Sequence, residues 1–522
     1  MRHSSTDISQ NESSSASDVP IILHDTESND SDESFELAKD ENMTPDQVLS
    51  RMGSSNIYVL SIWIMMGFVW GLSALPMMVS AFLVGDLCVT PSSGVNGNTS
   101  EACELQEGSL VKEFNLVGER AHLGDYSTSG FLFGIVIGNS FLSILSDAKG
   151  RRLVLLWSMA MMGVLGCASS FAPDIYSFIL LRFLQGIFVA ACESIPAKLR
   201  SYTALVFGLM WVSGYCAVGP IVYWVPNWHH LMLVTSLPLI FFAGIYYSVV
   251  PESFHYLVSR GQVKDVAKWL DSANRGRIYG SKIVLDAAEF CENSQRLAKM
   301  EKDKKVDPSK TGLIHELLNS RLLSMYTLVM TYLWTCDTFI YYVLSLFSTQ
   351  LAGDRYTNYA LMGLIEIPAY AVSSILLNRF GRRLFVSLCH LLAAVSFFTV
   401  YFCDNPQISL MMWLLGKFAI SSAFTSLFVY ASEVFPTVTR NGCIGICSVV
   451  SRLGGSFAPM VGTVMPTFFF GLCASIAAAM TLVLPETLNR ELPDSTEQMR
   501  AGNRNAATTC RHRRKSDVIL VH

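Results

Sequence analysis

Six side chains that can bind a charged organic solute lie inside apolar stretches of this 522-residue chain. An ionisable side chain at the centre of a bilayer costs about 3 kcal/mol on insertion scales, so a residue of this kind usually serves a function. We therefore predict that the six residues line a binding site for a small organic solute. They are Trp334, Asp337, Tyr341, Glu366, Lys417 and Arg452.

Three of these residues share one helical face. Trp334, Asp337 and Tyr341 are spaced three and then four residues apart, which brings their side chains together on a helix. Aromatic rings beside a carboxylate attract an organic cation through cation–π and Coulomb interactions. This face therefore favours a solute that carries a positive charge.

Arg452 indicates an acidic group on the solute. It lies 12 residues beyond Arg440, which is roughly 18 Å of helical rise and close to the middle of a ~30 Å hydrocarbon core. The small residues Gly445, Ser448 and Gly455 flank it on its own face. Because a guanidinium binds a carboxylate through two parallel hydrogen bonds, Arg452 favours an anionic or zwitterionic solute.

A second interpretation of the buried charges stays open. Asp337 and Glu366 can neutralise Lys417 and Arg452 in buried ion pairs, without any contact to a solute. The sequence does not decide between these two roles.

Apolar windows recur along the whole chain and define the elements that carry these residues. Apolar residues make up 51% of the sequence and charged residues 15%, against about 25% charged in soluble domains. Because lipid offers no hydrogen-bond partner to the backbone, such windows form helices. The sequence predicts an all-α membrane protein with twelve transmembrane helices, and it excludes a soluble enzyme, a secreted disulfide scaffold and a disordered chain. The predicted helices cover residues 57–84, 126–146, 153–172, 174–193, 201–223, 231–250, 323–347, 357–377, 384–402, 408–431, 441–462 and 465–484.

Charge and motifs exclude several partners. The net charge of −4 gives no electrostatic support for binding nucleic acid. We find no phosphate-binding loop that ends in Gly-Lys-Ser/Thr, and the 13 cysteines show no metal-ligand spacing. We expect no cofactor and no bound metal. The expected partners are a small organic ion, the lipid bilayer and, where transport is coupled, a driving ion.

Lysine and arginine residues in the short loops indicate the orientation. Those between helices 2 and 3, 4 and 5, 8 and 9, and 10 and 11 share one side if both termini are cytoplasmic. We predict a multi-pass protein of the plasma membrane with two six-helix halves. The linker between the halves is too polar to span, and its amphipathic parts predict a helical segment at the inner membrane surface. The predicted parts are a disordered cytoplasmic tail over 1–54, the halves over 55–251 and 323–487, the linker over 252–322 and a second cytoplasmic tail over 488–522.

The loop 84–125 is predicted to be external. It contains the glycosylation sequon that begins at Asn98 and two cysteines, Cys88 and Cys103. An oxidising exterior permits a Cys88–Cys103 disulfide. Two free thiols, or a competing bridge to Cys403, stay open as alternatives.

Three short motifs occur twice in the same order, each at a predicted cytoplasmic helix end. Two parallel six-helix repeats related by an axis along the membrane normal explain this pattern. The paired motifs are Gly150–Arg152 with Gly381–Arg383, Glu193–Arg200 with Glu433–Arg440, and Pro251–Ser253 with Pro485–Thr487.

The spacing of the repeat predicts a short fourth helix. Gly150 and Glu193 are 43 residues apart, whereas Gly381 and Glu433 are 52 residues apart. The first half therefore lacks nine residues, which correspond to about 13 Å of helix. Either helices 3 and 4 are joined almost directly near Pro173, or helix 4 is truncated.

A dense set of motifs resembles one transporter family. The motifs are Asp147–Arg152, Arg182–Gly186, Glu113–Val117, Gly353–Asp354, Glu366–Tyr370, Gly416–Phe418, Glu433–Thr437, Ser451–Gly455 and Ala458–Pro459. From about residue 55 to 493, they resemble the organic cation/anion/carnitine transporter family of the major facilitator superfamily. Gly118, Asn378, Phe254 and His255 depart from that family's usual residues.

The resemblance implies a central cavity lined by Trp334, Tyr341 and Glu366. In that family, the position of Arg452 tends to carry Asp in members restricted to cations and Arg in members that move anions or zwitterions such as carnitine. The family's fourth helix is longer and carries residues that face the solute, in the stretch that this chain lacks.

The paired loops are expected to form charge networks that close the cytoplasmic face in one conformation. The residues expected to take part are Asp147, Gly150, Arg151, Arg152, Glu193, Arg200, Arg379, Gly381, Arg382, Arg383, Glu433 and Arg440.

The predicted function is a secondary or facilitative transporter of small organic ions that works by rocking of its two halves. Two alternatives stay open. A sugar-porter-like carrier would have a neutral cavity rich in Gln and Asn. A transport-inactive receptor or scaffold is suggested by the short fourth helix.

Overall fold

The computed structural model contains the twelve predicted helices in two halves. It describes residues 44–52, 56–84, 88–91, 103–105, 107–194, 201–276, 285–304, 313–462, 466–490 and 492–500. The first half consists of α1 (Ile57–Met78, continued by Ser80–Leu83), α2 (His122–Lys149), α3 (Arg151–Ser169), α4 (Ile175–Ser194), α5 (Ser201–Trp224) and α6 (Trp228–Val249). The second half consists of α7 (Arg321–Leu346), α8 (Arg355–Leu364 and Glu366–Phe380), α9 (Arg382–Phe402), α10 (Pro406–Val434), α11 (Arg440–Ser456 and Ala458–Gly462) and α12 (Thr467–Thr481).

Nine of these helices, within the described residues, are long and apolar enough to cross a membrane. α12 and residues 175–190 of α4 are shorter apolar helices. α7 has 26 residues and is more polar, since it carries Asp337 and four tyrosines. We call the membrane side that bears segment 84–125 the loop side. The side that bears Gly150 and Gly381 is the arginine side.

Asparagine side chains begin several of the helices. Asn56 accepts hydrogen bonds from the amides of Tyr58 and Val59 at the start of α1. Asn227 and Asn405 cap α6 and α10 in the same way. These caps satisfy amide groups that have no partner within the helix.

Helix packing repeats between the two halves. In the first half α1 packs on α5, α2 on α4 and α3 on α6. In the second half α7 packs on α11, α8 on α10 and α9 on α12. The same three pairings therefore recur six helices later, which confirms the internal repeat predicted from the paired motifs.

α4 is nine residues shorter than its counterpart, as the repeat spacing predicts. α4 has 20 residues and α10 has 29. With Glu193 aligned to Glu433, the missing turns are those at the loop side. Trp228 of α6 packs edge-on against Phe178 of α4, with ring centroids 5.5 Å apart, and Phe114 packs on Trp228 at 5.7 Å. The loop segment and α6 thus cover the start of the short helix.

A small ribbon is added to the all-α architecture. Strands β1 (Cys88–Pro91) and β2 (Cys103–Leu105) pair antiparallel, with Cys88 opposite Leu105 and Cys103 opposite Pro91. The side chains of both cysteines lie outside what the structure describes, so their disulfide stays a prediction. Asn98 also lies outside the described residues.

Helices on the arginine side form a second apolar core. The helices of this core are Phe254–Ser259, Val263–Arg275 and Ala287–Lys304 in the linker and Pro45–Met52 in the first tail. The last linker helix, Leu313–Asn319, packs instead on the main core through Leu313 and Leu317. Val48, Trp269 and Phe290 are buried together in the second core. The apolar face of Val263–Arg275 is thus covered by protein, and its position at the inner membrane surface stays a prediction. Helix Pro45–Met52 lies within residues 1–54, for which the sequence predicted disorder.

Candidate functional site

A buried lysine lies at the centre of the second half. The Lys417 ammonium of α10 has no solvent exposure. Its Nζ lies 3.0 Å from Oε1 of Glu366 and donates to Oγ of Ser345 at 2.6 Å. The same Nζ lies 3.3 Å from the centroid of the Tyr341 ring. A carboxylate, a hydroxyl and an aromatic face thus replace the water that the ammonium loses.

Glu366 is placed by a break in α8. The helix stops at Leu364 and begins again at Glu366, so the carboxylate lies in the first turn of the second segment. Pro368 has no amide hydrogen to bond to the preceding turn, which explains the interruption of the helix predicted over 357–377. The hydroxyl of Tyr370 donates to Oε2 of Glu366 at 2.7 Å. The start of a helix also favours a negative charge.

The first half contributes aromatic side chains from α5. Nε1 of Trp211 donates to the hydroxyl of Tyr341 at 3.0 Å, which joins the two halves. Tyr215 stacks on Tyr359 of α8 with centroids 4.5 Å apart and rings 10° from parallel. We call Trp211, Tyr215, Tyr341, Ser345, Tyr359, Glu366, Tyr370 and Lys417 the central cluster.

Sequence reasoning missed most of the aromatic part of this cluster. Trp211 and Tyr215 lie four residues apart in α5, a spacing that places both on one face. That signal was present, but uniform hydrophobicity along α5 hides which face is directed to the other half.

Asp337 does not belong to the central cluster, which corrects the face predicted from its spacing. Its Oδ1 lies 2.9 Å from Nε2 of His390 on α9, and both side chains are fully buried. Trp334 instead packs edge-on against Phe428, with centroids 5.1 Å apart. Residues spaced three and four apart share a broad helical face. The neighbouring helices α9 and α10 contact different parts of that face.

Arg452 is half-buried on α11. Its Nε lies 3.5 Å from Oγ of Ser448, one turn earlier. The space beside Gly445 is open, since a methyl group there would meet no atom within 4 Å. The two buried acids have basic partners other than Arg452. Glu366 pairs with Lys417, and Asp337 pairs with His390.

On the arginine side, two glutamates hold the starts of α3 and α9. Oε1 of Glu252 accepts the amides of Arg151 and Arg152 at 3.0 and 3.1 Å. Glu486 accepts the corresponding amides of Arg382 and Arg383 at 2.9 and 3.1 Å. The sequence pointed to these glutamates only as repeat markers, and the structure gives them a capping role.

Among the described residues, the predicted charge networks form mainly in the second half. Glu433 accepts two hydrogen bonds from the Arg382 guanidinium, both at 2.9 Å, and one from the Thr487 hydroxyl at 2.6 Å. In the first half, Arg151 lies 3.7 Å from the exposed Asp147. Each of these ion pairs joins residues of the same half.

The other residues predicted to join the charge networks form no ion pair within the part of the chain that the structure describes. Arg440 donates from Nε to the carbonyl of Phe435 at 3.3 Å, and Arg379 is exposed. Glu193 lies in α4, but its side chain and the whole of Arg200 are outside the described residues. Their part in a network stays a prediction.

The two halves meet at the loop side. The Phe82 ring of α1 packs on Tyr356 and Tyr359 of α8, with centroids 5.8 and 4.8 Å apart. The hydroxyl of Thr349 donates to the carbonyl of Ala81 at 3.1 Å. These contacts join the two halves where Tyr359 of the central cluster lies.

We expect alanine at Gly381 or Gly150 to destabilise the protein. Both glycines have positive φ, +87° and +103°, and an added methyl group would lie 2.6 Å from Glu486 Oε2 or 2.7 Å from Glu252 Oε2. Strain of this kind costs about 1–3 kcal/mol. Thermal unfolding of detergent-purified protein measures the effect. Gly244→Ala, which meets no atom within 4 Å, is the matched control, and equal melting of all three variants would contradict the capping argument.

Known proteins resemble this chain over nearly its whole helical part. The profile of the family described as Sugar (and other) transporter matches residues 57–498. A putative transporter of Caenorhabditis elegans is 34% identical over 475 residues, which cover 88% of this chain and 92% of that protein. Organic cation transporter 1 of the same organism is 30% identical over 406 residues, 74% of this chain and 68% of that protein. Organic anion transporter 3 of Rattus norvegicus is 28% identical over 410 residues, 75% of each chain.

A solved structure shows the same fold. The inward-open xylose transporter XylE from E. coli superposes with a TM-score of 0.60 at 16% identity, over 85% of this chain and 99% of that one. One family assignment follows from the twelve helices in two repeated halves, the paired loops and the family match. The chain belongs to the sugar (and other) transporter family of the major facilitator superfamily, among the organic cation/anion transporters, and is a multi-pass membrane transporter rather than an enzyme.

Proposed function

We propose that the chain carries small organic ions across the membrane by alternating access, with the solute bound at the central cluster. The observation that carries this proposal is the hydrogen bond from Trp211 to Tyr341, which joins the halves beside the Lys417–Glu366 pair. A solute that inserts here contacts both halves at once. Its binding can therefore shift the balance between two conformations.

The charges favour an anionic or zwitterionic solute such as carnitine. Glu366 and Asp337 each have a basic partner, so neither offers an uncompensated negative charge to an organic cation. Arg452 is half-buried near the middle of α11, and Gly445, two turns earlier on the same helix, has open space beside it. A guanidinium in that place suits the carboxylate of such a solute.

The conformational change would exchange contacts at the two membrane sides. Opening the loop side requires the Phe82 ring to leave Tyr356 and Tyr359. Closing the arginine side would bring the Glu433–Arg382 pair and its counterpart in the first half towards each other. The rigid caps at Glu252 and Glu486 keep each half together while it rocks.

An uptake panel tests the proposal. Cells that express the chain are given carnitine, tetraethylammonium or glutarate, with and without a sodium gradient. We expect saturable uptake of carnitine or glutarate above that of tetraethylammonium. Uptake of a neutral sugar alone would support a sugar-porter-like carrier. Normal surface abundance with no uptake of any probe would support a receptor or scaffold.

We also propose a plasma-membrane protein with both termini cytoplasmic and the loop side external. Asn98→Gln should then increase gel mobility of the protein from cells, because one N-linked glycan is lost. Asn11→Gln and Asn42→Gln, which alter sequons in the first tail, are the matched controls and should leave mobility unchanged. A mobility change in the controls alone would reverse the orientation.

A further inference from the structure

We propose that Asp337 and His390 form a proton-binding site that couples solute transport to proton movement. The coupling rests on the proposed transport function, whereas the proton site itself stands on geometry. The pair bridges α7 and α9, outside the central cluster, and both side chains have no solvent exposure.

Hydrogen-bond accounting places one proton between the two side chains. Nδ1 of His390 lies 2.9 Å from the carbonyl oxygen of Val386, which only accepts, so Nδ1 carries a hydrogen. Nε2 lies 2.9 Å from Oδ1 of Asp337. With Nδ1 protonated, that contact needs a second proton, either on Nε2 or on the carboxyl group. The pair is then neutral overall, and releasing the proton would leave one uncompensated negative charge in the membrane.

The surroundings suit a proton better than a metal cation. Oδ1 of Asp337 faces the His390 ring, and Oδ2 is buried without a hydrogen-bond partner. The described residues hold no group of three or more His, Cys, Asp or Glu side chains that could bind a metal ion. An alkali cation needs several oxygen ligands, whereas a proton needs only the carboxylate and the imidazole.

Few titratable groups face the pair. The thiols of Cys336 and Cys389 lie next to it on α7 and α9, and Cys473 of α12 faces Cys336. The Lys417–Glu366 ion pair lies farther along α7, where Lys417 contacts Tyr341 and Ser345, one and two turns beyond Asp337. Binding and release of the proton therefore take place between Asp337 and His390.

α7 connects this pair to the solute site. Tyr341 and Ser345, which contact Lys417, follow Asp337 by one and two helical turns. In the described conformation the proton is occluded, since no solvent reaches either side chain. A movement of α7 against α9 that exposes the pair would also displace the ring and the hydroxyl around Lys417. Protonation and solute binding thus bias the same element.

Transport in proteoliposomes tests the coupling. Carnitine, tetraethylammonium and glutarate serve as probes, each in uptake driven by an inward proton gradient and in counterflow at equal pH. We expect the gradient to stimulate wild-type uptake severalfold. Asp337→Asn and His390→Gln should lose the stimulation while counterflow continues. Cys389→Ala, next to His390, is the matched control and should keep it.

An infrared pH titration of the purified protein tests the proton site without any solute. We expect a pH-dependent carboxyl or imidazole band that disappears in both Asp337→Asn and His390→Gln and stays in Cys389→Ala. Absence of such a band in the wild type, or gradient stimulation that persists in both variants, would overturn the inference. If no probe is transported, the proposed function fails, and the infrared band still decides the proton site.

Discussion

Lys417→Met is expected to lower the stability of the protein by about 3–5 kcal/mol, because it leaves the Glu366 carboxylate buried without its cation. The double variant Lys417→Met/Glu366→Gln should recover most of this loss, since neither partner then carries a charge. Neither variant should transport, as both remove the charged part of the central cluster. Thermal unfolding in detergent and uptake of carnitine, with surface abundance measured alongside, give the two readouts.

Lys417→Arg provides the matched control for charge. It keeps the cation opposite Glu366 but exchanges a compact ammonium above the Tyr341 ring for a wider planar group. We expect partial recovery of stability compared with Lys417→Met. If Lys417→Met alone melts like the wild type, the pair does not hold the buried charge of Glu366, and the central cluster loses its electrostatic basis.

The helices could be predicted closely from the sequence, because hydrophobic windows and caps are local signals. The prediction of 201–223 for α5 ends one residue before the observed Trp224. α2 begins four residues earlier than predicted, at His122, since its first turn is polar and escapes a hydropathy window. The break in α8 has a local cause in Pro368. Hydrophobic windows thus predict the helices without knowledge of their partners, although Pro220 and Pro238 lie inside unbroken helices.

The partners of the buried charges could not be predicted in the same way. Spacing places Asp337, Trp334 and Tyr341 on one side of α7, but different parts of that side contact α9 and α10. His390 lies 53 residues beyond Asp337 in the chain, and Trp211 lies 130 residues before Tyr341. Which of these residues meet depends on the rotation of each helix about its axis. That rotation is set by tertiary packing rather than by local pattern.

The internal repeat predicted features that local sequence patterns do not show. The nine-residue deficit in α4 follows from comparing the two halves, and the structure places it at the loop side, where Phe178 meets Trp228. The paired Pro-Glu motifs likewise identified Glu252 and Glu486 before their contacts were known. Symmetry within one chain therefore substitutes for a set of related sequences when equivalent positions are compared.

Arg452→Asp is expected to reverse the charge preference of transport. The variant places a carboxylate where a guanidinium favours the acidic group of the solute, so carnitine and glutarate should be rejected relative to tetraethylammonium. Loss of a close charge pair costs about 3 kcal/mol, which is roughly a 100-fold change in their uptake ratio. Arg452→Lys keeps the charge without the planar fork, and we expect it to weaken the apparent affinity for carnitine by roughly tenfold.

The measurement compares uptake of the three probes by both variants after correction for surface abundance, because a buried acid also impairs folding. Ser448→Ala serves as the matched control, since it removes the 3.5 Å contact to Nε of Arg452 and keeps the charge. It should leave the order of the probes unchanged. If Arg452→Asp reaches the membrane normally and transports the same probes with unchanged apparent affinity, Arg452 is a structural charge. The preference for a carboxylate would then have no basis in α11.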